Sequence, residues 1–413
     1  MTYSLKAPNT LNANIQLSPS KSISNRALII CHLTKNAVLP QNLSVCDDTQ
    51  VLRQALSAQL SGDSVINIGA AGTAMRFLTA YFSASDKKVI LTGNERMQQR
   101  PIKPLVEALR SLGADIEYAK TEGFPPLIIK GKKLQGGSIT LKADISSQFI
   151  SALLMIAPTL ENGLTVHISG KIVSRPYIDL TLNVMKHYGA KASWTSEESI
   201  EVLPSPYKAT PLNIENDWSA AAFWYEIMAL CPDTDARINL KGLSENSPQS
   251  DALLKDYFLP LGVKTDFTNE GISLHNQSAP LSPYKINLIN NPDIAQAIAV
   301  TCAMQKRPFE ISGLNNLRFK ECDRINALAT ELNKFGITIN TTDDTISWNG
   351  NQHHDADNNI VIDTYEDHRM AMAFAPCAFA FNHITINQPF VVSKSFPNFW
   401  AELQHCGFNI TKL

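Results

Sequence analysis

The sequence predicts an α/β protein of two domains, each made of three copies of one small unit. Two sequence markers recur along the chain at similar intervals, which indicates repeated units rather than one irregular domain. At 413 residues the chain is also too long for one ordinary hydrophobic core, so two domains are the default. Six units divide most simply into two groups of three.

The first marker is an amphipathic segment that ends in glycine and is followed by a strand-like run. Its apolar residues recur every three to four positions, which indicates a helix, and glycine just after the last turn is a common left-handed cap. A degenerate copy runs from Val51 to Gly62. The five clear copies are Leu105–Gly113, Leu182–Gly189, Leu253–Gly262, Leu328–Gly336 and Phe399–Gly407.

The second marker is a small or acidic residue that opens an apolar segment. From the second copy onward these starts are about 70 to 76 residues apart, a length that suits a small α/β unit. The first interval is only about 50 residues, so we expect a strand pair to be missing between Gly62 and Gly69. The six starts lie near Ser22, Gly72, Ser146, Asp217, Asp293 and Asp367.

Between the helical segments lie runs rich in β-branched residues, which predict strands. The Pro-rich stretch Leu203–Pro211 is the expected crossover between domains, and a short strand before Ser18 is expected to return to the second domain. The predicted domains are therefore residues 15–211 and residues 1–14 plus 212–413, with the active site in the cleft between them. The strand-like runs are Lys88–Thr92, Leu127–Lys130, Leu164–Ile168 and Ile384–Ile386.

The composition excludes several classes of protein. A hydrophobic content of 44% with 18% charged residues fits a globular enzyme rather than a disordered chain. The formal net charge of -2 gives no global attraction for nucleic acid or an acidic membrane, so an anionic ligand needs a local cluster. We see no signal peptide and no membrane-spanning run, and the seven scattered cysteines favour reduced thiols in a cytoplasm.

Several helix starts in the first half of the chain carry groups that suit an anion. The run Ser18–Arg26 combines serines, Lys21 and an arginine at a helix start, where free N–H groups and the helix dipole attract phosphate or carboxylate. The alternative is a helix cap followed by solvated cations. The turn Gly69–Arg76 lets the backbone approach a phosphate closely, although it lacks the Gly-Lys-Ser/Thr ending of a Walker A loop, and a purely structural turn is the alternative.

Three further positions extend this set. Arg100 precedes a helix that starts at a proline and could clamp a carboxylate, with an ordinary exposed arginine as the alternative. The polar trio Ser146–Gln148 opens an apolar helix, where capping explains one serine and a ligand explains the trio better. The run Ser174–Tyr177 again places polar groups before a helix.

The second half supplies acids beside further cations. Asp293 is either a helix cap or a general base. The run Arg318–Arg324 contains five charges in seven positions, which is either a solvated helix face or a site at a strand-to-helix junction. The run Asp367–Arg369 precedes an uninterrupted apolar segment. Lys394 is the last member of the set of candidate cations. A lone histidine such as His368 is more often structural than catalytic.

Seven motifs in order resemble the 5-enolpyruvylshikimate-3-phosphate synthase family and cover the chain from about Ser18 to Pro397. The resemblance implies an α/β inverted enolpyruvyl transferase fold of six βαβαββ repeats, three per domain. It also implies that phosphoenolpyruvate donates its enolpyruvyl group to the 5-hydroxyl of shikimate 3-phosphate by addition and elimination, with release of phosphate and no metal or other cofactor. The motifs are Ser20–Leu28 (SKSISNRAL), Ala71–Arg76 (AGTAMR), Arg96–Ile102 (RMQQRPI), Ser146–Phe149 (SSQF), Ser174–Asp179 (SRPYID), Lys320–Arg324 (KECDR) and Asp367–Met372 (DHRMAM).

The same resemblance implies a role for each candidate. Asp293 would be the base on the 5-hydroxyl, and Glu321 the acid at the methylene carbon with Lys21 assisting. We expect a cytoplasmic monomer that binds these two small substrates, with no nucleic acid or membrane partner. Shikimate 3-phosphate would be held by Lys21, Ser22, Arg26, Ser146, Ser147, Gln148, Ser174, Tyr177, Asp293, Asn316 and Lys320. Phosphoenolpyruvate would be held by Lys21, Gly72, Arg100, Gln148, Arg324, Arg369 and Lys394.

The chain departs from the family pattern at three positions and leaves two rival interpretations. Ala70 replaces a usual Asn, Phe77 a usual Pro and Cys322 a usual Thr, which leaves phosphoenolpyruvate affinity and glyphosate sensitivity open. The related enzyme that uses UDP-N-acetylglucosamine typically carries a cysteine shortly before its Arg-Pro pair, where this chain has Glu95. A catalytically inactive binding protein with the same fold is the second rival, although such a protein would be expected to lose the acid or base.

Overall fold

The computed structural model describes residues 1–59, 64–142, 146–170, 172–352, 354–381 and 383–413. The chain divides into two compact units. The N-terminal unit comprises Pro19–Ile214, and the C-terminal unit comprises Met1–Ser18 together with Glu215–Leu413. The sequence placed these two boundaries at residues 15 and 211, a few positions earlier in each case.

Helices and strands alternate through both units, as the repeat pattern predicts. The helices are α1 Lys21–Leu33, α2 Asp47–Ser57, α3 Gly72–Ser83, α4 Glu95–Gln98, α5 Lys103–Ser111, α6 Ser147–Ile156, α7 Arg175–His187, α8 Trp218–Leu230, α9 Leu254–Phe258, α10 Ala295–Met304, α11 Arg324–Asn333, α12 His368–Phe374 and α13 Phe399–His405. The strands are β1 Thr2–Lys6, β2 Asn12–Ile15, β3 Ser64–Asn67, β4 Lys88–Thr92, β5 Asp115–Tyr118, β6 Leu127–Lys130, β7 Gly137–Lys142, β8 Leu164–Ser169, β9 Ala192–Ser196, β10 Ser199–Val202, β11 Arg237–Lys241, β12 Val263–Thr268, β13 Gly271–Asn276, β14 Tyr284–Asn287, β15 Phe309–Ser312, β16 Asn340–Thr341, β17 Ile346–Trp348, β18 Val361–Ile362, β19 Ile384–Asn387 and β20 Asn409–Lys412.

The strands of the described residues form five sheets of four strands each, with one recurring order. In the sheet β3-β4-β6-β5, the first two strands are parallel and are joined through α3, and the last two form an antiparallel hairpin. The sheets β7-β8-β10-β9, β14-β15-β17-β16, β18-β19-β1-β20 and, counted from its other edge, β2-β11-β13-β12 have the same order of one parallel pair followed by two antiparallel pairs. Strands β1 and β2 supply the missing positions of two C-terminal sheets, so the N-terminal residues complete that unit.

The first repeat differs from the other five. Its described part contains α1 and α2, and the only pairing there outside the named strands is a single bridge between Gln41 and Asn213. This agrees with the short first interval, which predicted a missing strand pair. Gly62, the expected end of the degenerate copy, lies outside the described residues.

The predicted helix ends are confirmed. All five glycines of the first marker adopt positive φ angles between 77° and 97°, a backbone region that costs other residues energy. The glycine therefore stops each helix and turns the chain toward the next strand. The copy at Leu253–Gly262 is less regular, because α9 is flanked by two 3₁₀ turns, Ser250–Leu253 and Leu259–Leu261.

The predicted helix starts are confirmed at five positions, and at the sixth a 3₁₀ turn precedes the helix. Side-chain oxygens of Ser20, Ser146, Asp217 and Asp367 accept hydrogen bonds from backbone N–H groups in the first turns of α1, α6, α8 and α12. Asp293 instead lies inside a 3₁₀ turn, Pro292–Ile294, that precedes α10. Its carboxylate makes ion pairs described below, so the capping interpretation of Asp293 is wrong.

Each unit has its own hydrophobic core, built around helices that are buried on nearly every side. In the C-terminal unit, all seven residues of α12 are buried, and most residues of α8 and α10 are too. Helices of this kind are apolar on most sides, which explains the weak amphipathic pattern of these segments. None of the helices in the described segments is long and apolar enough to cross a membrane.

Glu226 is an ionisable residue within the C-terminal core. Glu226 of α8 has no exposed surface, and among the described residues neither of its carboxyl oxygens has a hydrogen-bond partner. Burial raises the pKa of Glu226 well above its ordinary value, so the folded protein keeps this group protonated. The unfolded chain ionises it near pH 4.3 and binds fewer protons at neutral pH, so stability decreases as pH rises.

We expect Glu226→Gln to remove this pH dependence. Relative to the unmutated chain, the variant should gain about 1.4 kcal/mol in the free energy of unfolding per pH unit, at pH values between the pKa of the unfolded chain and the raised pKa of the folded protein. Urea denaturation at several pH values measures this. Glu310→Gln is the control, because Glu310 is exposed and pairs with Lys285 on the surface. Parallel pH curves for Glu226→Gln and the unmutated chain would show that Glu226 is not a buried acid.

Candidate active site

Lys21 is the first residue of α1 and is held by a carboxylate that the sequence analysis did not single out. Its Nζ lies 3.2 Å from Oδ2 of Asp48, near the start of α2. The side chain of Asp48 is 5% exposed and that of Lys21 is 18% exposed, so the pair is largely shielded from water. The pair Asp47–Asp48 at the start of α2 is the sequence feature that could have indicated a partner for Lys21. It is easily missed because α2 belongs to the first repeat, whose pattern is degenerate.

Arg26 lies one turn further along α1 and is almost completely buried. Four of its N–H groups donate to neutral protein oxygens: Thr181 Oγ1 at 2.7 Å, Ser22 O at 2.9 Å, Tyr177 O at 3.1 Å and Ser151 Oγ at 3.4 Å. Burial lowers the pKa of Arg26 to about 10, so it remains charged at neutral pH. The guanidinium therefore ties α1 to α6 and α7 and leaves little capacity for direct ligand contact.

The residues Ser146–Gln148 at the start of α6 contact α3, and the first turn of α7 contacts Arg26 of α1. Ser146 caps α6, and the amide of Gln148 donates to Thr73 Oγ1 of α3 at 3.3 Å. Ser174 has a φ of 58°, a left-handed conformation for a non-glycine residue, immediately before α7. Tyr177 in the first turn of α7 presents its carbonyl to Arg26. The contacts of Arg26 and Gln148 thus link the four helices α1, α3, α6 and α7.

Two buried guanidinium groups converge on Gly72, the first residue of α3. A methyl group placed on Gly72 would lie 2.6 Å from Arg76 Nη1 and 2.7 Å from Arg100 Nη1. Arg76 also donates to the carbonyl of Gly72 at 2.9 Å. Glycine is therefore required here by close approach, and a helix N-terminus with two guanidinium groups is a strong site for an anion. The sequence predicts Gly72 and Arg100 as ligands of an anion, but it does not predict the role of Arg76.

In the C-terminal unit, Asp293 is surrounded by three cations. Its carboxylate lies 2.9 Å from Arg324 Nη1, 3.1 Å from Lys320 Nζ and 3.7 Å from Arg369 Nη2. Arg369 also donates to the backbone carbonyl of Asp293 at 2.6 Å. Burial alone would raise the pKa of Asp293, but Lys320, Arg369 and Arg324 together hold it well below its ordinary value.

Arg324 connects this carboxylate to two others. Its Nη2 lies 3.0 Å from Glu321 Oε2, and its Nε donates to Asp367 Oδ2 at 2.7 Å. The other oxygen of Glu321 lies 3.1 Å from Lys394 Nζ. The surrounding carboxylates raise the pKa of Arg324 despite its burial. One guanidinium thus fixes both the proposed base and the proposed acid.

These seven residues form what we call the charged cluster of the C-terminal unit: Asp293, Lys320, Glu321, Arg324, Asp367, Arg369 and Lys394. It contains four cations and three carboxylates, so its formal charge is positive by one. Burial lowers the pKa of Lys320, an effect that Asp293 opposes. A partly buried cluster with an excess of positive charge favours the binding of anions.

Two further residues, also not singled out by the sequence analysis, support the turn that carries Asp293. The buried carboxylate of Asp251 accepts hydrogen bonds from Ser219 Oγ at 2.5 Å and from Asn291 Nδ2 at 2.8 Å. Burial raises the pKa of Asp251. Asn291 precedes the Pro292–Asp293 turn, so this network fixes the backbone there. Neither Asp251 nor Asn291 belongs to one of the seven motifs.

Two other positions considered in the sequence are neighbours of the charged cluster along the chain. Asn316 sits in the 3₁₀ turn Asn315–Phe319, four residues before Lys320, and is partly exposed. His368 is buried, with its Nδ1 3.7 Å from Asp367 Oδ1. Because Asp367 caps the N-terminus of α12, this position agrees with a structural rather than a catalytic role for His368.

The three departures from the family pattern have distinct surroundings. Phe77 is fully buried and its ring centre lies 5.5 Å from the Arg26 guanidinium, so it adds a cation–π contact to that network. The Cys322 thiol lies 3.7 Å from Asp367, and burial raises its pKa, so it stays protonated. Ala70 is exposed in the turn before α3, and a methyl group offers no side-chain polar contact there.

Comparison with solved structures first defines the class of protein. An EPSP synthase from Acinetobacter baumannii superposes with a TM-score of 0.78 at 21% identity, over 100% of both chains. The enolpyruvyl transferase NikO from Streptomyces tendae superposes with a TM-score of 0.71 at 14% identity, over 99% of this chain and 98% of its own. The fold is therefore that of the enolpyruvyl transferases, as the sequence predicted.

Sequence comparison then identifies the family. Residues 52–403 match the family described as EPSP synthase (3-phosphoshikimate 1-carboxyvinyltransferase). A 3-phosphoshikimate 1-carboxyvinyltransferase from Bacteroides fragilis is 52% identical over 411 residues, which cover 99% of each chain. One from Haemophilus influenzae is 36% identical and matches 96% of each chain. The chain belongs to the EPSP synthase family.

Proposed function

We propose that this enzyme transfers the enolpyruvyl group of phosphoenolpyruvate to the 5-hydroxyl of shikimate 3-phosphate, in the shikimate pathway that supplies aromatic amino acids. The observation that supports this best is the arrangement around Arg324. One guanidinium holds Asp293 through Nη1 and Glu321 through Nη2, which places a base and an acid a short distance apart. Addition–elimination needs this combination, because one proton leaves a hydroxyl while another is added to a methylene carbon.

In the first step, Asp293 accepts the proton of the 5-hydroxyl, whose oxygen attacks the carbon that bears the phosphate. Glu321, which must enter this step protonated, gives its proton to the methylene carbon with Lys21 assisting, and the methylene group becomes a methyl group. In the second step, the methyl group returns a proton to Glu321, inorganic phosphate leaves and takes the proton that Asp293 had accepted, and the double bond is restored. Both Asp293 and Glu321 thus return to their starting protonation states.

The anionic substrates explain the excess of cations. Each substrate has one phosphate and one carboxylate, so bringing them together requires fixed positive groups. For phosphoenolpyruvate, the proposed ligands are Lys21, Gly72, Arg100, Gln148, Arg324, Arg369 and Lys394. For shikimate 3-phosphate, they are Lys21, Ser22, Arg26, Ser146, Ser147, Gln148, Ser174, Tyr177, Asp293, Asn316 and Lys320. Given its four bonds to protein oxygens, we assign Arg26 mainly to holding Ser22 and Tyr177 in place.

Phosphate release from phosphoenolpyruvate, with and without shikimate 3-phosphate and with no added metal, tests the proposal. We expect release only when both are present. Phosphate release with UDP-N-acetylglucosamine but not with shikimate 3-phosphate would indicate the related enzyme activity instead. No release with either acceptor would support a catalytically inactive binding protein.

That the enzyme is a cytoplasmic monomer stays a prediction, and light scattering of the purified chain tests its monomeric state.

Gly72→Ala tests the site formed by Arg76 and Arg100. The added methyl group would overlap both guanidinium ends, which can move aside because they terminate flexible side chains. We therefore expect the variant to fold. The KM for phosphoenolpyruvate should rise about tenfold, which is typical when a hydrogen bond between a charged group and its ligand is weakened. The KM for shikimate 3-phosphate is the internal control. An unchanged KM for phosphoenolpyruvate would exclude Gly72 and Arg100 from its binding.

A further inference from the structure

Two strained residues lie directly before α12. Tyr365 and Glu366 have φ angles of 53° and 55°, so two consecutive non-glycine residues are in the left-handed region. Such residues cost about 1–2 kcal/mol each and persist only where other contacts hold them. The segment ends at Asp367, whose backbone N–H donates to Thr364 O at 2.8 Å. The backbone strain is therefore located immediately before the residues that bind Arg324 and Asp293.

A buried carboxylate holds this segment in place. Glu331 has no exposed surface, and its Oε1 accepts a 2.6 Å hydrogen bond from the hydroxyl of Tyr365. Its Oε2 accepts hydrogen bonds from the backbone N–H of Asp363 at 3.2 Å and from Lys334 Nζ at 2.8 Å. Lys334 also donates to the carbonyl of Val361 at 2.7 Å. Residues 361–365 are thus held through both their backbone and one side chain.

Glu331 belongs to the helix that also carries the central guanidinium of the charged cluster. Helix α11 begins at Arg324, and Glu331 lies seven residues later, about two turns along the same face. Arg324 binds the carboxylate of Asp367, while Glu331 binds the turn before it. One helix therefore holds both Asp367 and the turn that precedes it.

We propose that the Tyr365–Glu331 hydrogen bond is a positioning device for Arg369, and that it sets the affinity for phosphoenolpyruvate. This inference rests on the proposed function for the identity of that ligand. Tyr365 is 37% exposed and its hydroxyl contacts Glu331, so its role is to hold the left-handed turn. Loosening that turn moves the start of α12, and with it the guanidinium that donates to Asp293 O.

Tyr365→Phe removes the hydroxyl and keeps the ring. We expect the KM for phosphoenolpyruvate to rise about tenfold, which is typical for loss of a hydrogen bond to a charged group. The KM for shikimate 3-phosphate and the kcat should change by less than about threefold, because the base and acid keep their partners on Arg324. The control is Tyr225→Phe, which removes a hydroxyl that bonds Thr265 Oγ1 at 2.8 Å in the same unit. It should alter neither KM.

A second substitution separates positioning from general loss of stability. Glycine adopts the left-handed region without strain, so Glu366→Gly should let the turn form with less support. In Tyr365→Phe/Glu366→Gly, the KM for phosphoenolpyruvate should return toward its original value. Equal effects of Tyr365→Phe and Tyr225→Phe, a parallel rise in both substrate KM values, or no recovery in the double variant would each overturn the proposal.

Hydrogen exchange of the ligand-free protein distinguishes this inference from the proposed function. In Tyr365→Phe, the backbone amides of Asp367 and Arg369, which bond Thr364 O and Asp367 Oδ1, should exchange faster than in the unmutated chain. Unchanged exchange would overturn the positioning role whatever the substrates are. If the unmutated chain releases no phosphate but the exchange accelerates, the proposed function fails while the positioning of this segment stands.

Discussion

Replacing Asp293 by asparagine is expected to lower kcat by about three orders of magnitude, because the amide cannot accept the proton of the 5-hydroxyl. The substitution keeps the size of the side chain and one oxygen that can accept from Arg324 or Lys320. It also removes a negative charge from among three cations. The KM values of both anionic substrates should therefore stay level or decrease while kcat falls.

This division between kcat and KM distinguishes a base from a binding residue. A residue that only binds substrate would raise KM when it is replaced, with less effect on kcat. Asp266→Asn is the matched control, since Asp266 is a partly exposed aspartate of the same unit that pairs with Lys264 and His275. Steady-state phosphate release measures both parameters. A variant Asp293→Asn with near-normal kcat would mean that another group takes the proton.

The pH profile of the unmutated chain provides a second test of Asp293. The three cations hold the pKa of this carboxyl below its ordinary range, so the free enzyme keeps the base ionised at mildly acidic pH. A lowered pKa stabilises the folded state above the pKa of the unfolded chain, and this stabilisation is lost as pH falls toward the folded value. Bound phosphate and carboxylate compensate the cations and raise the pKa again. The acid limb of kcat should thus lie at higher pH than that of kcat/KM.

The helix boundaries were predictable because their causes are local in sequence. A left-handed glycine ends a helix through the preference of its own backbone, as at Gly113 and Gly336. A serine or aspartate cap likewise bonds an N–H group two or three residues away, as Ser146 and Asp367 do. Such signals need no knowledge of the rest of the fold.

The partners of the catalytic candidates were not predictable, because they are distant in sequence. Asp48 reaches Lys21 across 27 positions, and Asp367 reaches Arg324 across 43. Composition and periodicity contain no information about such pairs, and Asp48 lies in the repeat that departs most from the others. The resemblance to a family supplied the list of site residues, but it did not reveal that Arg26 is engaged by four protein oxygens.

Glu321→Gln is expected to reduce kcat by a factor of about 10² to 10⁴, the range for loss of a general acid, with little change in substrate binding. Glutamine has nearly the same shape, and its carbonyl can still accept from Arg324 or Lys394, which hold the two oxygens of Glu321. Steady-state phosphate release gives kcat and both KM values. Glu310→Gln, an exposed glutamate of the same unit, is the control and should leave kcat unchanged.

Deuterium incorporation identifies the step that Glu321 serves. When the unmutated chain reacts in D₂O, protonation of the methylene carbon places deuterium in the methyl group, and elimination leaves part of it in the product. If Glu321 is the acid, incorporation should slow in Glu321→Gln by about the same factor as phosphate release. If deuterium still enters unreacted phosphoenolpyruvate at the original rate while phosphate release is slow, Glu321 acts after protonation. Lys21, held by Asp48 near the start of α2, would then be the stronger candidate for the acid.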